Sequence, residues 1–258
     1  MKKFGLIGNK ISYSLSPKIH GIIYAELGLN ASYELIDIPE GGIGEHIELI
    51  KSLDGFNVTQ PHKRAIIQFL KENNSPIEAV NAVRREGEDL LGFNTDIFGF
   101  ERDVLTGFGS VEDKTALIIG AGGFASAAAF ELAKLGANVF IKNRTLEKAQ
   151  ELCKKSGARL WDKSVAPQVV VNCSSAELFG SLVDVSSINL TKLEYAYDAI
   201  YKDTQFLSTM QNAGAKKCLN GLNTLIYQAI AAVEIFTKTE LNDEETEKIK
   251  DKIRSELI

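Results

Sequence analysis

The chain has 258 residues and a formal net charge of −5, from 29 Lys and Arg against 34 Asp and Glu. This acidic balance argues against a nucleic-acid partner, because neutralising phosphates requires a basic face. Hydrophobic residues make up 45% and charged residues 24% of the chain, values typical of a folded protein with a sizeable core, so disorder of the whole chain is excluded.

The apolar segments are too short for a signal peptide or a membrane span. The run Phe4–Ile7 is shorter than a signal-peptide core, and the stretch 224–236 contains Gln228 and Glu234 and falls short of the ~20 residues that cross a bilayer. We therefore expect a cytoplasmic protein with no membrane partner. The cysteines form no C-x-x-C pair and the histidines lack metal-ligand spacing, which predicts neither a disulfide framework nor a metal site.

Short apolar, β-branched runs alternate with helical segments along most of the chain, a pattern typical of β-α-β units on a parallel sheet. The predicted fold class is α/β. In the first part we predict strands at residues 4–8, 32–38 and 55–59, helices at 17–27 and 43–53, a helix opened by Pro61, and a hairpin over residues 79–93.

After residues 105–110 the pattern begins again, which predicts a second domain. Strands are expected at residues 115–119, 138–142, 168–173 and 195–199, with a helix ending at Leu135 after the first of them. The chain closes with helices at 222–239 and 243–257, the second with Asn242 as its cap and Glu245 three residues on.

A glycine turn follows the first strand of the second part and opens an alanine-rich helix. It consists of Gly120, Ala121, Gly122, Gly123, Phe124 and Ala125. The first glycine permits a tight turn, the second removes a side chain where a pyrophosphate approaches the backbone, and the helix start offers free N–H groups. This context predicts a dinucleotide site; a glycine turn without a ligand is the alternative.

The residues after the next strand indicate which dinucleotide is bound. An NAD site places Asp or Glu there, whereas this chain has Asn143, Arg144 and Thr145, followed by Lys148. A guanidinium pairs with a 2′-phosphate that an acidic residue would repel, so NADP is favoured over NAD. The alternative is that these cations are exposed charges at a helix start.

Four polar clusters in the first part fall at junctions between loops and helices. In the first, Ser16 precedes Pro17 and is predicted to be a helix N-cap, which leaves Ser14 without a structural role. Two hydroxyls at a helix start can bind a carboxylate. Carboxylate binding by Ser14 and Ser16 is one open interpretation, and a purely structural role at the helix start is the other.

The second cluster is Asn57–Lys63, where a helix opened by Pro61 would put Lys63 in its first turn. The helix dipole disfavours a cation there, which suits a proton-transfer lysine, although a solvent-exposed lysine is the alternative. Residues 78–82 and 92–99 form the other two clusters. Asp96 stands at a helix start, so it either caps that helix or pairs with Lys63; spacing does not decide.

Together these residues resemble the shikimate dehydrogenase family. The chain matches eight of its motifs in order: S-x-S-P-x-x-H from Ser14, N-V-T-x-P-x-K from Asn57, A-V-N from Ala79, G-x-N-T-D-x-x-G from Gly92, G-A-G-G from Gly120, N-R-T from Asn143, D-x-x-Y from Asp198 and a late helix motif from Gly221. It departs from the family at Ala82, Lys148, residues 173–175 and Thr224, the last standing where the family has a Met against nicotinamide.

The resemblance implies an N-terminal α/β substrate domain at residues 1–98, a Rossmann-type doubly wound NADP domain at 99–219, and C-terminal helices at 220–258 that return to the first domain. It further implies NADPH-dependent, reversible reduction of 3-dehydroshikimate to shikimate on the pathway to aromatic amino acids, in a monomer or homodimer. Two alternatives stay open: a quinate or dual quinate/shikimate dehydrogenase, and a catalytically weak relative that binds NADP or a metabolite.

The resemblance also assigns roles to residues. Lys63 and Asp96 would be the acid–base pair, and Ser14 and Ser16 would bind the substrate carboxylate. The ring hydroxyls would be bound by Asn57, Thr59, Asn81, Tyr201 and Gln228. The cofactor would be bound by Gly120, Ala121, Gly122, Gly123, Phe124, Ala125, Asn143, Arg144, Thr145, Lys148, Ala199, Gly221 and Thr224.

Overall fold

A computed structural model describes residues 1–257 and divides the chain into two compact units. The first unit comprises Met1–Gly99 together with residues 226–257, and the second comprises Phe100–Leu225. The sequence had suggested boundaries after residues 98 and 219. The second boundary of the structure lies inside the helix Leu222–Thr237, because one continuous helix passes from the second unit into the first.

The first unit is built on a six-stranded mixed sheet in the order β2-β1-β3-β5-β6-β4. β1 is parallel to β2 and β3, whereas β5 is antiparallel to both β3 and β6. The elements are β1 Lys2–Gly8, α1 Ser16–Glu26, β2 Ala31–Asp37, α2 Ile47–Lys51, β3 Gly55–Val58, β4 Glu72–Asn73, β5 Ala82–Glu86, β6 Asp89–Phe93 and α3 Thr95–Phe108, the last continuing into the second unit.

The second unit contains a six-stranded sheet in the order β12-β11-β10-β7-β8-β9, with every neighbouring pair parallel. This is the doubly wound order of dinucleotide-binding folds, so the predicted fold class is confirmed. The elements are β7 Thr115–Ile119, α4 Gly123–Lys134, β8 Asn138–Lys142, α5 Leu146–Ser156, β9 Arg159–Leu160, β10 Val169–Asn172, β11 Tyr195–Asp198, α6 Gln205–Asn212 and β12 Lys217–Asn220. The last helices are α7 Leu222–Thr237 and α8 Asp243–Leu257.

The strands of the second sheet are buried on both faces, which explains their uninterrupted apolar sequences. Ala116 and Ile118 of β7 belong to one hydrophobic cluster, and Leu117 and Ile119 belong to another on the opposite face. Parallel sheets covered by helices on both sides show this pattern. None of the helices within residues 1–257 is both long enough and apolar enough to cross a membrane.

Two predicted helices of the first unit are wrong in form. Residues 43–53 give a 3-10 turn at Gly44–His46 and then only the short α2. The His46 backbone N–H donates to the Ile43 carbonyl three residues earlier, as in any 3-10 turn, and the His46 Nδ1 lies 2.8 Å from the Gly42 carbonyl oxygen. The helix expected from Pro61 is absent as well: residues 61–64 form turns that lead into a 3-10 helix at Ala65–Phe69.

The C-terminal helix begins as predicted. The Asn242 side chain accepts a hydrogen bond from the Glu245 backbone N–H at 3.0 Å, and the Glu245 carboxylate accepts one from the Asn242 N–H at 2.9 Å. This reciprocal pair is a capping box. Helix α8 packs against α1, so the C-terminal helices belong to the first unit, as the predicted fold stated.

Candidate active site

The four polar clusters of the first unit meet at one edge of its sheet. Leu6 in β1 pairs with Asn57 in β3, Asn57 pairs with Ala82 in β5, and Ala82 pairs with Phe93 in β6. Because β5 is antiparallel to its neighbours, the chain before Ala82 lies at the same edge as the chain after the other three strands. The register therefore gathers segments that are distant in the sequence.

Lys63 and Asp96 form an ion pair at this edge. The Lys63 Nζ lies 2.5 Å from the Asp96 Oδ2, and the side chains are 15% and 10% exposed. The predicted placement of Lys63 in a helical first turn is wrong. Its carbonyl accepts the Val80 N–H at 2.8 Å, so the chain at Lys63 is hydrogen-bonded to the segment before β5 and is not part of a helix. The acid, not a dipole, is the electrostatic partner of this lysine.

Asn81 holds the carboxylate of this pair. Its Nδ2 donates to the other Asp96 oxygen, Oδ1, at 2.8 Å, and its Oδ1 accepts the Thr95 backbone N–H at 2.6 Å. Asp96 lies within the first turn of α3, and the Asn94 side chain accepts the Ile97 N–H at 3.3 Å. Of the two interpretations left open for Asp96, the structure therefore shows the pairing with Lys63. Both Asp96 oxygens are occupied, which fixes the orientation of the carboxylate.

Gln228 reaches the same cluster from α7. Its Oε1 lies 3.4 Å from both the Asn81 Nδ2 and the Thr95 Oγ1. Gln228 is 147 positions from Asn81 in the chain, and the return of the C-terminal helices to the first unit brings the two together.

Ser14 and Ser16 lie before and at the start of α1. The N-cap prediction for Ser16 is wrong, because the helix begins at Ser16 itself and its cap, Leu15, makes no side-chain bond. The Ser14 hydroxyl instead accepts the Ser16 backbone N–H at 3.2 Å and donates to the Ser16 hydroxyl at 3.1 Å. The two hydroxyls are therefore neighbours at the helix start.

Asn57 lies near the end of β3, and Thr59 directly follows the strand. The Asn57 Nδ2 donates to the Asn81 carbonyl at 3.1 Å, and its Oδ1 accepts the Tyr33 hydroxyl at 2.8 Å. A Cβ at Gly8 would lie 2.6 Å from the Thr59 methyl group, so glycine is needed there for Thr59 to pack. Tyr33 was not predicted as a site residue, because it belongs to no motif of its predicted strand. Thr95 was given no role although it lies in the motif G-x-N-T-D-x-x-G.

The glycine turn of the second unit has the geometry that a dinucleotide requires. Gly120 has a φ of +122°, and a Cβ on it would lie 3.1 Å from the Cys173 backbone. Gly122 precedes α4 without any side-chain cap, which leaves the first N–H groups of that helix for a ligand, and Ala125 is fully buried.

The two cations after β8 have no partners within residues 1–257. Arg144 and Lys148 are exposed at the start of α5, and neither takes part in an ion pair or hydrogen bond of the described chain. Their neighbour Asn143 donates from Nδ2 to the Thr145 carbonyl at 2.9 Å, which shapes the turn before the helix. Two unneutralised charges beside a glycine turn suit an anionic ligand.

The end of the second unit is closely packed around Gly221 and Thr224. A Cβ at Gly221 would lie 2.8 Å from the Ala199 carbonyl carbon. The Thr224 hydroxyl is buried; it accepts the Tyr197 hydroxyl at 2.6 Å and donates to the Asp103 Oδ2 at 3.1 Å. Burial raises the pKa of Asp103, and the hydrogen bonds to its oxygens oppose that rise.

A second buried carboxylate links β10 to β11. Asp198 is fully buried, accepts the Asn172 Nδ2 at 3.0 Å and the Thr204 hydroxyl at 2.7 Å, and burial raises its pKa to about 6. Ser174 in turn donates to the Asn172 Oδ1. Ser174, which lies in the segment 173–175 that departs from the family, therefore holds the Asn172 side chain in place.

Comparison with known proteins decides the family. The family model for the shikimate dehydrogenase substrate binding domain matches residues 6–83, and that for shikimate / quinate 5-dehydrogenase matches residues 104–169. A shikimate dehydrogenase (NADP(+)) from Caldicellulosiruptor saccharolyticus is 34% identical, with 92% of each chain covered. The chain belongs to the shikimate dehydrogenase family.

Solved structures of shikimate dehydrogenases share the fold over the whole chain. The enzyme from Peptoclostridium difficile superposes with a TM-score of 0.89 at 29% identity, covering all of both chains. The enzyme from Thermus thermophilus, solved in complex with NADP(H) and shikimate, superposes with a TM-score of 0.84 at 30% identity, covering 98% of this chain and all of that one.

Of the residues that the shikimate dehydrogenase resemblance assigned to the substrate, all but Tyr201 lie in the first unit. Tyr201 lies in the second unit, as does every predicted cofactor residue. Among residues 1–257, no group of three or more His, Cys, Asp or Glu side chains is arranged to hold a metal ion. The first unit contains Ser14, Ser16, Asn57, Thr59, Lys63, Asn81, Asp96 and Gln228.

Proposed function

We propose that this chain catalyses the reversible, NADP-dependent interconversion of shikimate and 3-dehydroshikimate. The observation that carries the proposal is the Lys63–Asp96 ion pair, at 2.5 Å, on a sheet edge that also presents hydroxyl and amide side chains. Such a mixture of groups can bind a ligand whose ring carries one carboxylate and several hydroxyls.

Ser14 and Ser16 bind the substrate carboxylate in this proposal. Two neighbouring hydroxyls at the start of α1 can donate to its two oxygens, and the helix N-terminus favours a negative charge. Asn57, Thr59 and Gln228 bind ring hydroxyls from the same edge, and Tyr201 is a further candidate for binding a ring hydroxyl. Asn81 acts through Asp96, whose carboxylate it orients.

The Lys63–Asp96 pair handles the proton of the reacting oxygen. During oxidation the substrate hydroxyl gives its proton to the pair, and during reduction the pair returns a proton to that oxygen. The Lys63 ammonium also stabilises negative charge that develops on the oxygen. Because Asn81 fixes one Asp96 oxygen, the other stays directed at Lys63 throughout.

NADP(H), when bound, accepts or supplies the hydride. The residues present fit this cofactor: Gly120 leaves no room for a Cβ, the start of α4 is uncapped by side chains, and Arg144 and Lys148 have no partner among the described residues 1–257. The glycine turn would bind the pyrophosphate, and Arg144 would pair with the 2′-phosphate.

The direct test is purified protein with shikimate and NADP⁺, followed by absorbance at the reduced-nicotinamide band. Reduction of NADP⁺ that depends on shikimate is expected, and its absence at saturating concentrations of both would reject the proposal. Quinate and NAD⁺ belong in the same assay, since one matching family model describes shikimate / quinate 5-dehydrogenases. We expect the kcat/KM for shikimate with NADP⁺ to be the highest of the four combinations.

Two further statements are proposals from the sequence alone. The protein is expected in the cytoplasm and as a monomer or homodimer, in keeping with a reaction between small molecules. Light scattering during size-exclusion chromatography measures the second of these.

A further inference from the structure

His20 ends the S-x-S-P-x-x-H motif, yet the proposed function gives it no task. It is fully buried, and its ring stacks on that of Tyr33 with centroids 3.9 Å apart and an interplanar angle of 12°. Its Nδ1 lies 3.3 Å from the Tyr24 hydroxyl. Burial lowers the pKa of His20 to about 3, so an uncharged ring supports one face of Tyr33.

The orientation of the Asn57 amide follows from its partners. The Asn81 backbone carbonyl can only accept, so the Asn57 atom 3.1 Å from it must be the nitrogen, Nδ2. The other amide atom, Oδ1, then faces the Tyr33 hydroxyl at 2.8 Å, and Tyr33 must be the donor. One Nδ2 hydrogen is thus used on Asn81, which leaves the second available to another acceptor.

Tyr33 keeps its proton in the folded protein. Burial raises the pKa of the phenol well above its usual value, so the hydroxyl retains the hydrogen that it donates to Asn57.

We propose that Tyr33 is a positioning residue that fixes Asn57 so that it presents an N–H to the substrate. The ring hydroxyl beside Asn57 is therefore read as a hydrogen-bond acceptor. This inference rests on the proposed function. It assigns specificity to a residue that would not touch the substrate.

The test compares Tyr33→Phe with Tyr24→Phe. Both changes remove one phenol hydroxyl from the ring cluster around His20, but only the Tyr33 hydroxyl bonds Asn57. We expect Tyr33→Phe to raise the KM for shikimate ~10-fold, the effect of one lost hydrogen bond to a positioned group, while kcat and the KM for NADP⁺ stay near wild type. Tyr24→Phe should leave all three unchanged.

Several outcomes overturn the inference. A shikimate KM near wild type for Tyr33→Phe removes Tyr33 from positioning, and an equal rise in both variants assigns the effect to ring packing instead. A matching loss in kcat and NADP⁺ affinity for Tyr33→Phe would indicate general disruption. If wild-type protein itself shows no shikimate oxidation, the proposed function fails, and the inference that rests on it is overturned as well.

A measurement on wild-type protein covers the case in which Tyr33→Phe does not fold. The two Asn57 side-chain amide protons are followed by NMR during titration with shikimate, with Asn57→Ser identifying their signals. We expect one proton to be protected in the free protein, through Asn81, and the other to become protected when shikimate binds. Two equivalent, exchange-averaged protons in the free protein, or no change on binding, would refute the fixed amide.

Discussion

Lys63 and Asp96 lie 33 positions apart, and the residues around Asp96 determine how they meet. Asn81 donates to one Asp96 oxygen and binds the backbone of Thr95 beside it, so the remaining oxygen has a single direction available. An ion pair this well oriented differs from an exposed pair, whose side chains are free to separate. Its geometry suits a group that must return to the same position in every turnover.

Replacing Lys63 by Ala removes the proton-transfer partner while leaving Asn81 on Asp96. We expect kcat for shikimate oxidation to fall by ~10²–10⁴-fold, the usual contribution of a general acid–base group, with a smaller change in KM. Steady-state kinetics at saturating NADP⁺ measures both constants. A variant with near-wild-type kcat would show that Lys63 has no part in the chemistry.

Arg144 provides a second prediction at the same scale. Arg144→Ala should raise the KM for NADP⁺ by ~10-fold or more and leave that for NAD⁺ nearly unchanged, because only NADP carries the 2′-phosphate. Lys192→Ala is the matched control, since Lys192 is also exposed but precedes β11, at the opposite edge of the parallel sheet. Equal effects of Arg144→Ala on both cofactors would contradict the phosphate contact.

The start of α7 is stabilised from outside the helix. Asp103 on α3 accepts the Asn223 Nδ2 at 3.1 Å and the Thr224 hydroxyl, so a carboxylate stands at the N-terminus of α7, where the helix dipole favours negative charge. Thr224 was predicted to contact the cofactor. The structure engages its hydroxyl with Tyr197 and Asp103, which gives this departure from the family a structural role of its own.

Thr224→Val keeps the shape of the side chain and removes its hydroxyl. Tyr197 and Asp103 would each lose a buried partner, so we expect the free energy of unfolding to fall by ~1–3 kcal/mol, while Thr224→Ser should recover most of it. Urea denaturation of the three proteins measures the difference. If Thr224→Val matches wild type in stability but weakens NADP⁺ binding, the threonine acts on the cofactor instead.

The two units carry buried titratable groups of opposite character. His20 in the first unit has a pKa lowered to about 3, so the folded state favours its neutral form. Its contribution to the free energy of unfolding is complete above the unfolded pKa of ~6.5 and is lost as the pH falls toward 3. Asp198 in the second unit has a pKa raised to about 6, so the folded state binds a proton that the unfolded chain has released, and stability falls as the pH rises toward 6.

His20→Phe should therefore change the acid sensitivity of the whole molecule. Between pH 6.5 and 5 the wild-type protein is expected to lose about 2 kcal/mol through His20 that the variant does not lose. For Asp198→Asn the difference in unfolding free energy from wild type should change with pH in the opposite direction, because the variant lacks a group whose protonation stabilises the folded state at low pH. Unfolding free energies across this pH range, taken as differences from wild type, test both, and parallel curves for all three proteins would contradict the assignment.

The sequence allowed the α/β class, the second sheet and the capping box of α8 to be predicted, because each follows from local periodicity and spacing. NADP and the family were also predicted and are confirmed. The helix at Pro61 was wrong because proline preference does not reveal that the Lys63 carbonyl binds Val80. Tyr33 was missed for a related reason: its role comes from contacts with Asn57 in β3 and His20 in α1, and neither contact has a local sequence signature. The individual site roles stay predictions.

Arg144 and Lys148, which have no partner in the described part of the chain, make the predicted cofactor site sensitive to the ions of the buffer. Two unneutralised cations beside uncapped helix starts attract any small anion, so sulfate or inorganic phosphate in a buffer competes with the dinucleotide for them. Apparent cofactor affinity should therefore depend on ionic strength and on the choice of counterion, and constants compared between laboratories need the same medium.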